Sequence, residues 1–151
     1  MREQLKTMLT TSLKAGEKRR VATVRLILAA IKDRDIAVRA EGRGSGVGDD
    51  EILAILQKMV KQRRESTTFY LEGGRLELAA QEEEEIAIIG EFLPEQVEAE
   101  ELAAAVADIV AEMGAASLKD MGGVMARLKE RYAGRMDFAQ AAGLVKSRLS
   151  G

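Results

Sequence analysis

A single proline, Pro94, stands in 151 residues, and the apolar positions on both sides of it recur almost everywhere at helical spacing. Proline removes a backbone donor and breaks a helix interior, so a chain nearly free of it can run in helices. No stretch alternates apolar and polar residues for long, so no sheet is expected. The fold class that follows is all-α. An N-terminal long-helix domain over 1–93 precedes a C-terminal three-helix bundle over 94–151.

The periodicity places the elements. Leu5, Leu9 and Leu13 step by four in a leading helix that breaks near Gly16. Over 17–41, Val21, Val24, Leu28 and Ile31 share a face with Ile27 beside them. Residues 42–48 hold four glycines in seven positions, which reads as a flexible loop. Asp49 and Asp50 are N-cap candidates for a third helix, with Ile52, Leu56, Met59 and Val60 inward, ending at Gly73-Gly74. A fourth helix starts near Arg75 and carries Leu76, Ala79, Ile86, Ile89 and Leu93. Its run Glu82-Glu83-Glu84-Glu85 is too wide for one solvent face, so at least one glutamate should point inward and meet a basic side chain of the preceding helix.

Beyond Pro94 three shorter amphipathic segments follow. Leu102, Val106, Ile109, Val110 and Met113 form one face, closed by Gly114. Ser117 and Asp120 have capping-box spacing ahead of Met121, Val124, Met125, Leu128 and Tyr132, and Gly134 stops that segment. Asp137 caps the last, with Phe138, Ala142, Val145 and Leu149 inward.

Composition narrows the chemistry. The chain has no Cys and no His, which removes thiolate nucleophiles, zinc-thiolate sites and the commonest general base and metal ligand. No serine lies in a Gly-x-Ser-x-Gly turn, and the loop 42–48 lacks the Gly-Lys-Ser/Thr close of a phosphate cradle. No catalytic residue, metal or cofactor is therefore assigned. No apolar run reaches about 18 residues, and Met1-Arg2-Glu3-Gln4 has no signal-peptide core, so a cytoplasmic chain without membrane contact is expected.

Charge is unevenly spread. Residues 1–71 carry a balance of +6, residues 72–101 a balance of −10, and residues 102–151 a balance of +2. Lys58, Lys61 and Arg64 step by three along one helix, with Arg63 adjacent, and form a secondary basic face that could instead pair with the acidic helix. Lys119, Arg127, Lys129, Arg131, Arg135 and Lys146 have few local acids and are the stronger candidates for phosphate contact. The few aromatic residues do not make a stacking platform, which leaves shape and phosphate recognition of a folded RNA.

Five segments in order carry a family resemblance: Lys61-Gln62-Arg63-Arg64-Glu65-Ser66, Gly73-Gly74-Arg75, Glu82 to Glu85 with Ile86, Phe92-Leu93-Pro94, and Met121-Gly122-Gly123-Val124-Met125. Together they resemble the GatB/YqeY family over nearly the whole chain. The resemblance implies a stand-alone YqeY-like protein whose C-terminal part is similar to the tail domain of the aspartyl/glutamyl-tRNA amidotransferase B subunit. In that enzyme the tail helps hold transfer RNA. A carbon–nitrogen ligase label with glutamine as amide donor travels with the family name. Where the family has a basic residue in the Met-Gly-x-Val-Met segment this chain has Gly123, and its Gly-Arg-Ala-Asp-Gly turn reads Gly134-Arg135-Met136-Asp137-Phe138.

The resulting expectation is a tRNA-binding accessory module, non-catalytic alone. Its RNA-facing residues would be Lys119, Gly122, Gly123, Arg127, Lys129, Arg131, Arg135 and Lys146, the glycines letting backbone approach backbone. The alternative is a module that docks on an aminoacyl-tRNA synthetase or amidotransferase subunit without touching RNA.

Overall fold

The computed structural model describes residues 1–150, and among them the chain is all-helical, with no strand. The helices are α1 (Arg2–Ala15), α2 (Lys18–Ala40), α3 (Asp49–Glu72), α4 (Leu76–Gly90), α5 (Ala99–Met113), α6 (Met121–Arg131) and α7 (Phe138–Ser150). A 3₁₀ turn, Leu118–Asp120, leads directly into α6. Chain packing divides the molecule into two compact units that part between Leu93 and Pro94.

In the first unit α3 and α4 pack as a hairpin, α1 packs on α2, and α2 reaches both α3 and α4. Gly74, at φ +72°, closes the hairpin turn, and the Arg75 N–H behind it donates to the Tyr70 carbonyl at 2.8 Å. The core joins Leu5, Val24, Ile27, Ile31, Ile52, Leu56 and Ile89 from all four helices. Thr23 and Thr67 are buried too, and each hydroxyl donates to the carbonyl four residues back, of Arg19 and Arg63.

Several first-unit expectations change. In α1 Leu5 and Ser12 are buried and Leu9 is partly buried beside them, whereas Leu13 is 50% exposed. A step of four advances about 40° around the helix, so two such steps carry Leu13 off the face that Leu5 defines. Leu76 is exposed at the first position of α4. Neither Asp49 nor Asp50 caps α3: Gly48 is the N-cap, and both aspartates lie inside the first turn, where their charge favours the helix dipole.

The glycine-rich loop is anchored rather than free. Asp35 is buried on α2, and its Oδ1 accepts the Val47 N–H at 2.9 Å. Arg2 of α1 grips the same carboxylate with two N–H groups at 2.8 Å each and also donates to the Val47 carbonyl. Val47 itself joins the core. Gly46 runs at φ +78°, and a side chain there would collide with Asp35.

In the second unit α5, α6 and α7 pack on one another around Leu102, Val106, Ile109, Val124, Leu128, Val145 and Leu149. Gly114, at φ +62°, ends α5. The Asp120 carboxylate accepts the N–H groups of Ala116 and Ser117, and Ser117 with Asp120 forms the capping box that their spacing predicts. Asp137 caps α7 by accepting from Ala139 and Gln140. The α7 face is Ala141, Val145 and Leu149 rather than Ala142, because a four-residue step back from Val145 reaches 141. Met136, the bulky departure in the turn, is core, only 1% exposed.

Candidate nucleic-acid interface

The cations of the second unit fall into two sets. Arg127 and Arg131, one turn apart on α6, both turn toward Glu112 near the end of α5. Arg131 donates to both of its oxygens, at 2.8 and 2.5 Å, and Arg127 adds a third contact at 3.2 Å. The Arg131 hydrogen bonds, reinforced by the charges of both arginines, hold the Glu112 carboxyl below its ordinary range. Arg135 is occupied as well: its Nε–H donates to the Glu95 carbonyl at 3.0 Å and its guanidinium lies 5.5 Å from the Tyr132 ring centre.

Lys119, Lys129 and Lys146 form the other set. All three are exposed, and none has an ion-pair partner among the described residues. They lie on the 3₁₀ turn, α6 and α7, three elements that pack on one another. Arg148, exposed in the last turn of α7, is a further unpaired cation among the described residues, but two residues on from Lys146 it lies about 200° around the helix from it. The basic residues that the sequence singles out do not include Arg148, although it stands only two residues beyond Lys146. Gly122 is open on its surface, whereas a Cβ at Gly123 would come 3.2 Å from the Met113 methyl of α5, so that glycine serves helix packing inside the unit.

In the first unit Lys58, Lys61 and Arg64 are exposed, but Arg63 is not part of their face. Its Nε–H donates to Glu85 at 3.1 Å, and both side chains are nearly enclosed, 14% and 12% exposed. Glu85 is thus the inward-turned glutamate, facing the preceding helix. Arg19 of α2 adds its charge at 3.8 Å and also reaches Glu84 at 3.5 Å. Burial, with the nearby charge of Glu85, pushes the Glu82 carboxyl upward. Among the described residues no group of three or more carboxylates is arranged to hold a metal ion. No described helix is long and apolar enough to cross a membrane.

What this arrangement can do chemically is present positive point charge. Ammonium groups on three neighbouring elements can meet an anionic surface, while Arg127 and Arg131 are committed to holding α5 against α6.

The family described as Yqey-like protein matches residues 2–149, and the chain belongs to it. The mitochondrial protein named altered inheritance of mitochondria protein 41, from Vanderwaltozyma polyspora, is 28% identical over 89 residues, which is 59% of this chain. The matched stretch covers 46% of that relative's length.

Proposed function

We propose that this YqeY-like chain is an accessory module that binds transfer RNA through the phosphates, with its C-terminal unit as the contact surface and no chemistry of its own. The observation that carries the reading is the set Lys119, Lys129 and Lys146: exposed, without acid partners among the described residues, and on elements that pack together. Such cations displace counterions from a nucleic-acid backbone and hold it without reading bases. Tyr132 and Phe138 are partly buried against the core, so single-strand stacking has no platform here. The link to a carbon–nitrogen ligase is an analogy at the level of the family and assigns no step to this chain.

The test is binding of the full chain to total bacterial tRNA across a salt series, with duplex DNA as control. The expected result is steep salt sensitivity, with a log–log slope of roughly −0.7 to −0.9 per phosphate contact. Reversing Lys119, Lys129 and Lys146 to Glu together should weaken binding uniformly across tRNAs. Arg127→Glu should weaken it less, because that arginine is already paired with Glu112. Absence of binding at about 50 mM salt overturns the reading. In that case a protein partner retained after nuclease treatment would favour docking on a synthetase or amidotransferase.

A further inference from the structure

Helix α2 buries one side against its own unit and leaves the opposite side uncovered. That side is not an ordinary solvated face. Its exposed positions include Ala22, Leu26, Ala29, Ile36, Ala37 and Ala40, with Leu26 49% and Ile36 57% exposed. Along one edge run Lys18, Arg25 and Lys32, seven residues apart and therefore about 10.5 Å apart along the axis. All three are exposed and have no ion-pair partner among the described residues.

The register is that of a coiled-coil seam. With Leu26, Asp33 and Ala40 at the a positions, Ala22, Ala29 and Ile36 fall at d, and the cations fall at g. At its N-terminal end the seam opens into a cleft of about 340 Å³ between α1 and α2, walled by Leu13, Val21 and Ala22 with Lys18 and Arg25 at the rim. Leu13, off its own helix's buried face, is half exposed there.

From this juxtaposition we infer that the outer face of α2 is a docking seam for an amphipathic helix of a partner protein, one that carries acidic residues along its flank. Alanines at the d positions let a second helix approach closely, Leu26 and Ile36 supply apolar contact, and the cleft receives a larger side chain at one end. The flank selects the partner. A second copy of α2 does not satisfy it: paired antiparallel, cations would face cations, and paired parallel, they would face Thr23, Ala30 and Ala37. Asp33 in the middle of the seam disfavours a phosphate backbone or an anionic membrane and fixes register against a partner cation. This surface lies outside the lysine set of the proposed RNA contact, so either can fail without the other.

The probe is a synthetic four-heptad peptide with Leu and Ile at a and d, Glu at its flanks and one Lys placed opposite Asp33. Its binding to the full chain is read by fluorescence anisotropy. Saturable binding is expected, with no binding of the same peptide carrying Lys at its flanks. Arg25→Glu with Lys32→Glu should weaken binding about tenfold or more, and so should Leu26→Asp, with unchanged helical circular dichroism. Failure of the acidic peptide to bind overturns the inference, as does binding that these substitutions leave unchanged. Loss of tRNA affinity on Arg25→Glu with Lys32→Glu, without peptide binding, would reassign the face to nucleic acid.

Discussion

In the unit before Pro94 the interior holds two carboxylates, Asp35 and Glu85, each answered by an arginine from another helix. In the unit after it, the buried residues among those described are apolar, apart from the glycine of a turn. The first unit thus spends charge on joining helices: Arg2 to Asp35, Arg63 and Arg19 to Glu85, Arg20 to Glu91. Among the described residues the second keeps one arginine–glutamate cluster, at the surface, and its lysines have no ion-pair partner. A cation count from sequence therefore means different things in the two halves. In the first, a basic residue beside the core is as often a structural clamp as a surface charge.

The largest effect expected within this contrast is apolar. Leu128 is fully buried in the second unit, and Leu128→Ala should cost about 3 to 5 kcal/mol, read as lost amide protection in α6. In the first unit Glu85→Ala strands Arg63 and should cost about 3 kcal/mol in thermal or urea denaturation. Replacing both members, Glu85→Leu with Arg63→Met, should recover most of that loss. If the double variant is no better than the single one, the pair is not what the site depends on.

Acid should separate the units next. The Arg2 hydrogen bonds, helped by the Val47 N–H, hold the Asp35 carboxyl well below its ordinary range. A carboxyl depressed in the folded state gives stability that is complete above the unfolded value, about 3.9, and is lost as pH falls toward the folded one. Glu82 runs the opposite way, since its raised carboxyl favours protonation in the folded state. Hydrogen exchange between pH 5 and 2 should therefore show α1, α2 and Val47 losing protection before the α5–α7 core. Glu112 and Asp120 are also depressed, but both sit at the surface. Equal loss in the two units would break the comparison. The smallest effect belongs to exposed apolar positions: Leu13→Gln and Leu76→Gln should each change stability by no more than about 0.5 kcal/mol.

What could be read in advance follows from how local each signal is. Helix identity and the turns at Gly74, Gly114 and Gly134 rest on spacings of a few residues. So does the inward glutamate, because four consecutive glutamates subtend more of a helix than solvent can take. Asp35 gives no such signal. It stands between Arg34 and Ile36 on a mostly polar stretch, and its partner is 33 residues away. The commitment of Arg127 and Arg131 is hidden for the same reason, since Glu112 lies 15 and 19 residues upstream on another helix. Leu13 misleads in a different way: a strict period of four fits a helix locally but precesses around it. The candidate interface was legible as a set of basic residues and illegible as to which were free, a question only long-range pairing answers.

The anchored end of the glycine loop divides that loop for anyone who wishes to modify the chain. Residues Gly42 to Ser45 are exposed, and a Cβ at Gly42 or Gly44 would meet open space. Added length there costs closure entropy that grows only logarithmically, so an inserted tag or reporter is tolerable between Gly44 and Ser45. One residue further, at Gly46, the latitude ends, because the backbone turns left-handed against Asp35 and Val47 enters the core. The loop thus offers a grafting point whose downstream border is a single residue wide.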